Sequence, residues 1–359
     1  MGMYRTKMQI NTLNNFNPFQ TISGYSQVEE LKNFIVSDTC IVTMKDIWDL
    51  YQNRFPKNVD VYFVHTLEEN ELEKEIKKFS NYKMVIGFGG GQALDIAKYF
   101  SWKCRLTLFQ FPTSISVDAV FGHRSGIRRN GNVNYLGWAI PECVFVDYEI
   151  IQSAPKIFNY SGIGDVLCFF TGVLDWQYAN KKNKCEQKWK YNSELADKSL
   201  KYVDDLLANV KDIKTMNENG IDTIIRAHQW GGNSFFSSGW NPRHIEGIEH
   251  FFFYNLELLT NKKFIHGQPV CLGFVLGCLL HNKLDDKFLN FFKSLQFDFS
   301  PEAMQIKWDD VNTTLETLNS FVEQNNLWYG IANDFVNSKN ILNQLKEIVF
   351  SINKPSATL

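Results

Sequence analysis

Residues Met84 to Lys98 read MVIGFGGGQALDIAK: an apolar run, four glycines within Gly87 to Gly91, and then a helical pattern. Glycines between a strand and a helix let backbone N–H groups close on a pyrophosphate, and the helix N-terminus behind them adds partial positive charge. The C-terminal end of a strand is where open α/β sheets hold nucleotides. The same cluster also fits a tight strand-to-helix turn with no ligand. The spacing is not G-x-G-x-x-G, so an ordinary Rossmann fingerprint is absent.

Working outward, short β-rich runs alternate with helical patterns over the first 150 residues, as in βαβ units with a parallel sheet. Strands are expected at 40–43, 60–64, 84–88, 107–111 and 144–147, and helices at 46–53 and 68–79, the second from Leu72, Ile76 and Phe79. Asn130-Gly131 marks a hairpin across 124–137. Beyond about Ile151 strands give way to helical stripes. One helix is expected over 161–179 with Ser161 near its N-cap, and another carries Leu195, Val203, Leu206, Leu207 and Val210. Further helices are expected at 219–238, 246–259, 267–282, 287–294, 309–324 and 338–351. This predicts an α/β nucleotide-binding domain with a parallel, Rossmann-like sheet over 1–152 and an all-helical domain over 153–359.

The chain has 359 residues, 44% hydrophobic and 15% aromatic, enough apolar surface for a large interior. A formal charge of -2 argues against nucleic acid or anionic lipid as partner. The seven cysteines form no CxxC pair and make a poor disulfide framework. The longest apolar run, Val270 to Leu280, is shorter than the roughly 20 residues that span a bilayer, so a cytoplasmic protein is expected.

Gly89 to Lys98, GGGQALDIAK, resembles the cofactor motif of the iron-containing alcohol dehydrogenase and dehydroquinate synthase superfamily. Pro112 to Asp118, PTSISVD, and Ser161 to Trp176, SGIGDVLCFFTGVLDW, resemble its sn-glycerol-1-phosphate dehydrogenase branch, with glycerol dehydrogenases as near relatives. The resemblance implies a dehydroquinate synthase-like fold and a homo-oligomeric NAD- or NADP-linked oxidoreductase acting on a small polyol or polyol phosphate. It implies that Gly89, Gly90, Gly91, Asp95, Thr113, Ser114 and Ser116 line the cofactor channel, and that Asp118 faces substrate.

It also implies a metal centre at Asp165, His250 and His266, which match the family's ligands. One carboxylate and two imidazoles leave coordination positions open, as a catalytic Zn²⁺, or Fe or Ni in its place, requires. The helix carries the chain about 15 Å past His250 and the following loop spans at most about 20 Å, so the two histidines meet only if the connection folds back. Arg243 is the candidate cation for a substrate phosphate, with His123 and His244 bordering the pocket.

Some positions depart from the pattern. Thr43 is followed by Met44-Lys45 where relatives place an acidic residue for the ribose, which leaves NAD against NADP open. Tyr254 stands where the branch often has a second histidine, and Asn241 to Glu249, NPRHIEGIE, is less rich in small residues. A sugar-phosphate cyclase using NAD transiently, which needs extra Lys and Arg around its substrate, and a non-catalytic binding protein are the alternatives.

Overall fold

A computed structural model describes residues 19–129, 131–336 and 339–353. Asn130 of the expected hairpin turn and Ser338 of the last expected helix lie outside the described residues, as does the chain before Phe19.

Among the described residues there are eight strands: β1 (Thr21–Gly24), β2 (Thr39–Thr43), β3 (Asp60–Phe63), β4 (Met84–Gly89), β5 (Thr107–Pro112), β6 (Ser125–Arg129), β7 (Asn132–Leu136) and β8 (Cys143–Asp147). Six of them form one sheet in the order β1-β8-β5-β4-β2-β3, with every neighbouring pair parallel. The antiparallel hairpin β6-β7 stands apart. Successive side chains on a strand point to opposite faces, and both faces of a parallel sheet are buried. Cys40, Val42, Val85 and Leu108 accordingly enter one apolar cluster, and Ile41, Ile86, Phe88, Phe109 and Phe145 the other. β1 was not expected: its four residues, TISG, are too short and too mixed to read as a strand, and it is held by its pairing with β8.

After Asp147 the described elements are all helices. A large core runs through them and continues into the α/β half at Val144 and Val146 of β8 and at Leu94 of the Gly91–Cys104 helix, so the two halves share one apolar interior. Burial of each such side chain stabilises the fold by about 1.5–3 kcal/mol. Two helix boundaries differ from expectation. Ser161 ends the Lys156–Ser161 helix instead of capping the next, and Gly162 is the joint before Ile163–Lys181. A Cβ at Gly162 would lie 1.8 Å from the Ile115 carbonyl, so the chain bends where another backbone passes. Val210 opens a separate short helix after Asn209 instead of continuing the Ser193–Ala208 stripe. The Lys156–Lys181 stretch, more than Val270 to Leu280, is long and apolar enough to cross a membrane; here 78% of its most apolar window is buried inside the fold.

Candidate active site

The sheet reverses its strand order at β2 and β4: β3 lies outside β2, while β5, β8 and β1 follow on the far side of β4. Crevices at such points open above the C-terminal strand ends. The glycine turn sits there. Gly89 ends β4 with φ +154°, and a Cβ on it would come within 2.9 Å of the Ala93 side chain. Gly90 precedes the Gly91–Cys104 helix, and a Cβ on it would meet only the Ser114 hydroxyl, at 3.8 Å. That open space, backed by a helix N-terminus, is a cradle a phosphate fits. The loop after β5 closes the other side: the Thr113 N–H donates to the Gly89 carbonyl at 3.0 Å, and the Ser114 hydroxyl donates to Ser116 at 3.5 Å.

Asp95 lies one turn farther along, turned from the cradle toward the hairpin, where its carboxylate pairs with Lys98 at 2.8 Å and receives the Gly126 N–H. Lys98 is 1% exposed, not on a solvated face. Its ammonium donates to the carbonyls of Ala119, Gly122 and Arg124 at 2.8, 3.1 and 2.6 Å. The helix behind the glycine turn thus grips the loop that carries Asp118.

Beyond the Asp118 loop, three helices bring Asp165, His250 and His266 together. A Cβ at Gly267 would fall 2.1 Å from the Ser161 carbonyl, and the Gly267 N–H donates to the Ser161 hydroxyl at 2.7 Å, which seats His266 against the helix bearing Asp165. The same closeness recurs at Gly273, whose Cβ would lie 2.6 Å from the Glu249 carbonyl, and this seats His250. His266 Nε2 lies 2.8 Å and His250 Nε2 3.8 Å from Asp165 Oδ1. The donor atoms of the three residues all lie within 4.8 Å of one another. Buried Glu249 accepts the His250 Nδ1–H at 3.2 Å and is itself held by the Thr171 hydroxyl at 2.7 Å and the Gly247 N–H at 2.6 Å. A carboxylate on Nδ1 fixes the tautomer and leaves Nε2 free to ligate. One carboxylate oxygen and two imidazole nitrogens at this separation are a donor set that fits a divalent ion with positions to spare.

The charges respond. Burial alone would raise Asp165, yet the imidazoles of His266, His250 and His228 hold it well below the usual carboxylate range. His250 is opposed by burial but pushed up to about 9 by Glu246 and Glu249. Asp118 is raised, first by burial and then by Asp165, whose carboxylate accepts the Asp118 N–H at 3.0 Å.

Three neighbouring expectations are corrected. Arg243 does not face the cleft: it is fully buried, donating to the Tyr329 carbonyl at 2.6 Å with Glu186 at 3.6 Å. His244 is turned into the interior, its Nε2 2.8 Å from the Ser234 hydroxyl, and burial drops it to about 3. His123 is buried among Phe19, Trp138, Phe236 and Trp240 and lowered to about 4. His228, which no motif marks, is the histidine that sequence reasoning missed; it bonds the Gly162 carbonyl at 2.9 Å and acts on both Asp118 and Asp165.

The model of the iron-containing alcohol dehydrogenases matches residues 27–155, the unit holding the glycine turn. Over that unit the chain is similar to the iron-containing alcohol dehydrogenases. It is 28% identical over 247 residues to the glycerol-1-phosphate dehydrogenase [NAD(P)+] of Pyrococcus abyssi, covering 69% of this chain and 68% of that one. Among solved structures it is similar to the glycerol dehydrogenase of Schizosaccharomyces pombe, with TM-score 0.70 and 16% identity over 93% of this chain and 90% of that one. It is likewise similar to a probable glycerol dehydrogenase from Sinorhizobium meliloti 1021, with TM-score 0.69 and 17% identity over 94% and 96%. At these identities the solved structures speak for the fold, and they agree with the α/β unit followed by helices.

Proposed function

We propose that this chain is a metal-dependent, NAD(P)-linked oxidoreductase that interconverts a small polyol, or its phosphate, and the corresponding ketone. The observation that carries the reading is the meeting of Asp165, His250 and His266 from three helices, linked through the 113–118 loop to the glycine turn at the sheet's switch point. Residues 1–152 serve as the dinucleotide-binding unit and 153–359 as the metal- and substrate-binding unit. The enzyme is read as cytoplasmic and homo-oligomeric, like the metal's identity a matter for experiment, with Zn²⁺ first and Fe or Ni as alternatives.

Gly89, Gly90 and Gly91 would hold the pyrophosphate through backbone N–H groups, and Thr113, Ser114 and Ser116 would line the nicotinamide side. Asp165, His250 and His266 would hold a divalent ion, which supplies Lewis acidity toward a carbonyl or alcohol oxygen while the nicotinamide exchanges hydride. The chain's own residues set the stage. Glu249, by taking the Nδ1–H of His250, would leave the Nε2 lone pair free for the ion shared with Asp165. Asp118, raised by burial beside Asp165, is suited to hold a proton on its carboxyl within the cleft. Asp95 acts on the cofactor side indirectly, by pairing with the lysine that fixes the Asp118 loop.

The cyclase alternative is disfavoured by where the cations go: Arg243, Arg128 and Lys98 all end on protein groups away from the candidate metal ligands. The test is a spectrophotometric screen of NADH and NADPH oxidation with dihydroxyacetone, dihydroxyacetone phosphate and related ketoses, with Zn²⁺, Ni²⁺ or Fe²⁺ added. Metal-stimulated net oxidation of cofactor supports the reading; product formation without net cofactor turnover contradicts it.

A further inference from the structure

Glu246 is a carboxylate in the cleft that the mechanism above does not use. It directly precedes Gly247, the N-cap of the Ile248–Thr260 helix. Its backbone is pressed against the helix of Asp165, where a Cβ at Gly172 would come within 2.8 Å of the Glu246 nitrogen. The side chain is therefore launched from a fixed point. It accepts the Tyr254 hydroxyl at 3.1 Å, and the Tyr254 ring lies 5.7 Å from that of His250. Tyr135 of the β6-β7 hairpin hydrogen-bonds Tyr254 in turn. Glu246 also interacts electrostatically with His250 and Asp118, which places it beside the candidate ligands and not behind them.

The charges acting most strongly on Asp118, Asp165, Glu246, His250 and Tyr254 are carboxylates, imidazoles and a phenol; among the described residues no lysine or arginine is one of them. The buried cations are engaged elsewhere. Arg243 is spent on Tyr329 and Glu186, Arg128 pairs with Glu257 at 2.7 Å, and Lys98 grips three carbonyls. A phosphate at the far end of the substrate would meet these buried carboxylates with no lysine or arginine among the groups acting most strongly on them. A hydroxyl group would find an acceptor, because an ionised carboxylate accepts at two oxygens and Tyr254 uses one.

We propose that Glu246 is a specificity-determining residue, and that the end of the substrate remote from its carbonyl bears hydroxyl groups and no phosphate, one hydroxyl donating to the Glu246 carboxylate. This narrows the polyol reading above and rests on it. A site built around a hydrogen bond to a hydroxyl discriminates strongly against partners that cannot make it.

The test compares kcat/KM for dihydroxyacetone and dihydroxyacetone phosphate in the metal-loaded wild type, Glu246→Ser and Glu246→Gln, with NADH and NADPH. The wild type is expected to favour dihydroxyacetone by about tenfold or more. Glu246→Ser shifts the ratio toward the phosphate by about tenfold, and Glu246→Gln, which keeps the volume and the Tyr254 contact, shifts it the same way by less. A wild type that prefers the phosphate, or a ratio that moves in neither variant, overturns the role of Glu246 while leaving the polyol reading standing. Failure to turn over either ketone, with NADH binding intact by fluorescence, overturns the polyol reading and this inference with it.

Discussion

The two walls of the cleft are built in different ways. The wall at the end of β4 is made of backbone: Gly89 to Gly91, a helix N-terminus and the turn after β5, all supplied by two neighbouring strands. The facing wall is made of side chains from residues 165, 250 and 266, held by close contacts between three helices. A backbone site is sensitive to an added Cβ and indifferent to most side-chain chemistry. A side-chain site is sensitive to the loss of a single atom type and depends on distant packing. The difference sorts what substitutions should do.

The largest effect belongs to the side-chain wall. His266→Ala should lower turnover by on the order of 10³-fold, the scale of several kcal/mol of Lewis-acid stabilisation, with the circular dichroism spectrum unchanged. Retained activity in this variant would remove His266 from the site. Next comes the ion pair within the helix behind the glycine turn. Lys98→Met leaves Asp95 buried without its partner and should cost about 3–5 kcal/mol of stability, read as a lower chemical-denaturation midpoint at constant slope. A surface-like cost under about 1 kcal/mol would mean that Lys98 does not hold the Asp118 loop.

On the backbone wall, Gly89→Ala should weaken NAD(P)H binding in fluorescence titration by a factor corresponding to about 1–3 kcal/mol, the strain of a φ near +154° in a residue with a Cβ. Metal binding in that variant should stay at the wild-type level. A loss of both would show that the walls are not independent. The smallest shift is at the support of His250: Glu249→Gln should weaken metal affinity by about 10–100-fold while leaving cofactor affinity alone.

The same contrast explains what could be read in the sequence. The backbone wall is contiguous, and MVIGFGGG announces strand, turn and helix in order; five of the six sheet strands were legible from their apolar runs. β1 was not, because it exists through pairing with β8 and not through its own pattern. The three candidate ligands were singled out through family resemblance alone, since residues 85 and 101 positions apart carry no local pattern that joins them; the structure brings their donor atoms within 4.8 Å of one another. Arg243, His244 and His123 were misplaced for a related reason: a polar residue near a motif reads as part of it, whereas its direction is set by tertiary partners such as Tyr329 and Ser234. Lys98 lies within the contiguous motif, yet its burial among carbonyls is set by the loop after β5 and has no local signal.

The central claim is that one carboxylate and two imidazoles grip a single ion. X-ray absorption on zinc-titrated protein tests it most directly. The wild type should bind one equivalent per chain with two imidazole nitrogens among its ligands, and a variant carrying Asp165→Ala, His250→Ala and His266→Ala together should bind none. One equivalent retained by that variant, with an unaltered spectrum, would contradict the account.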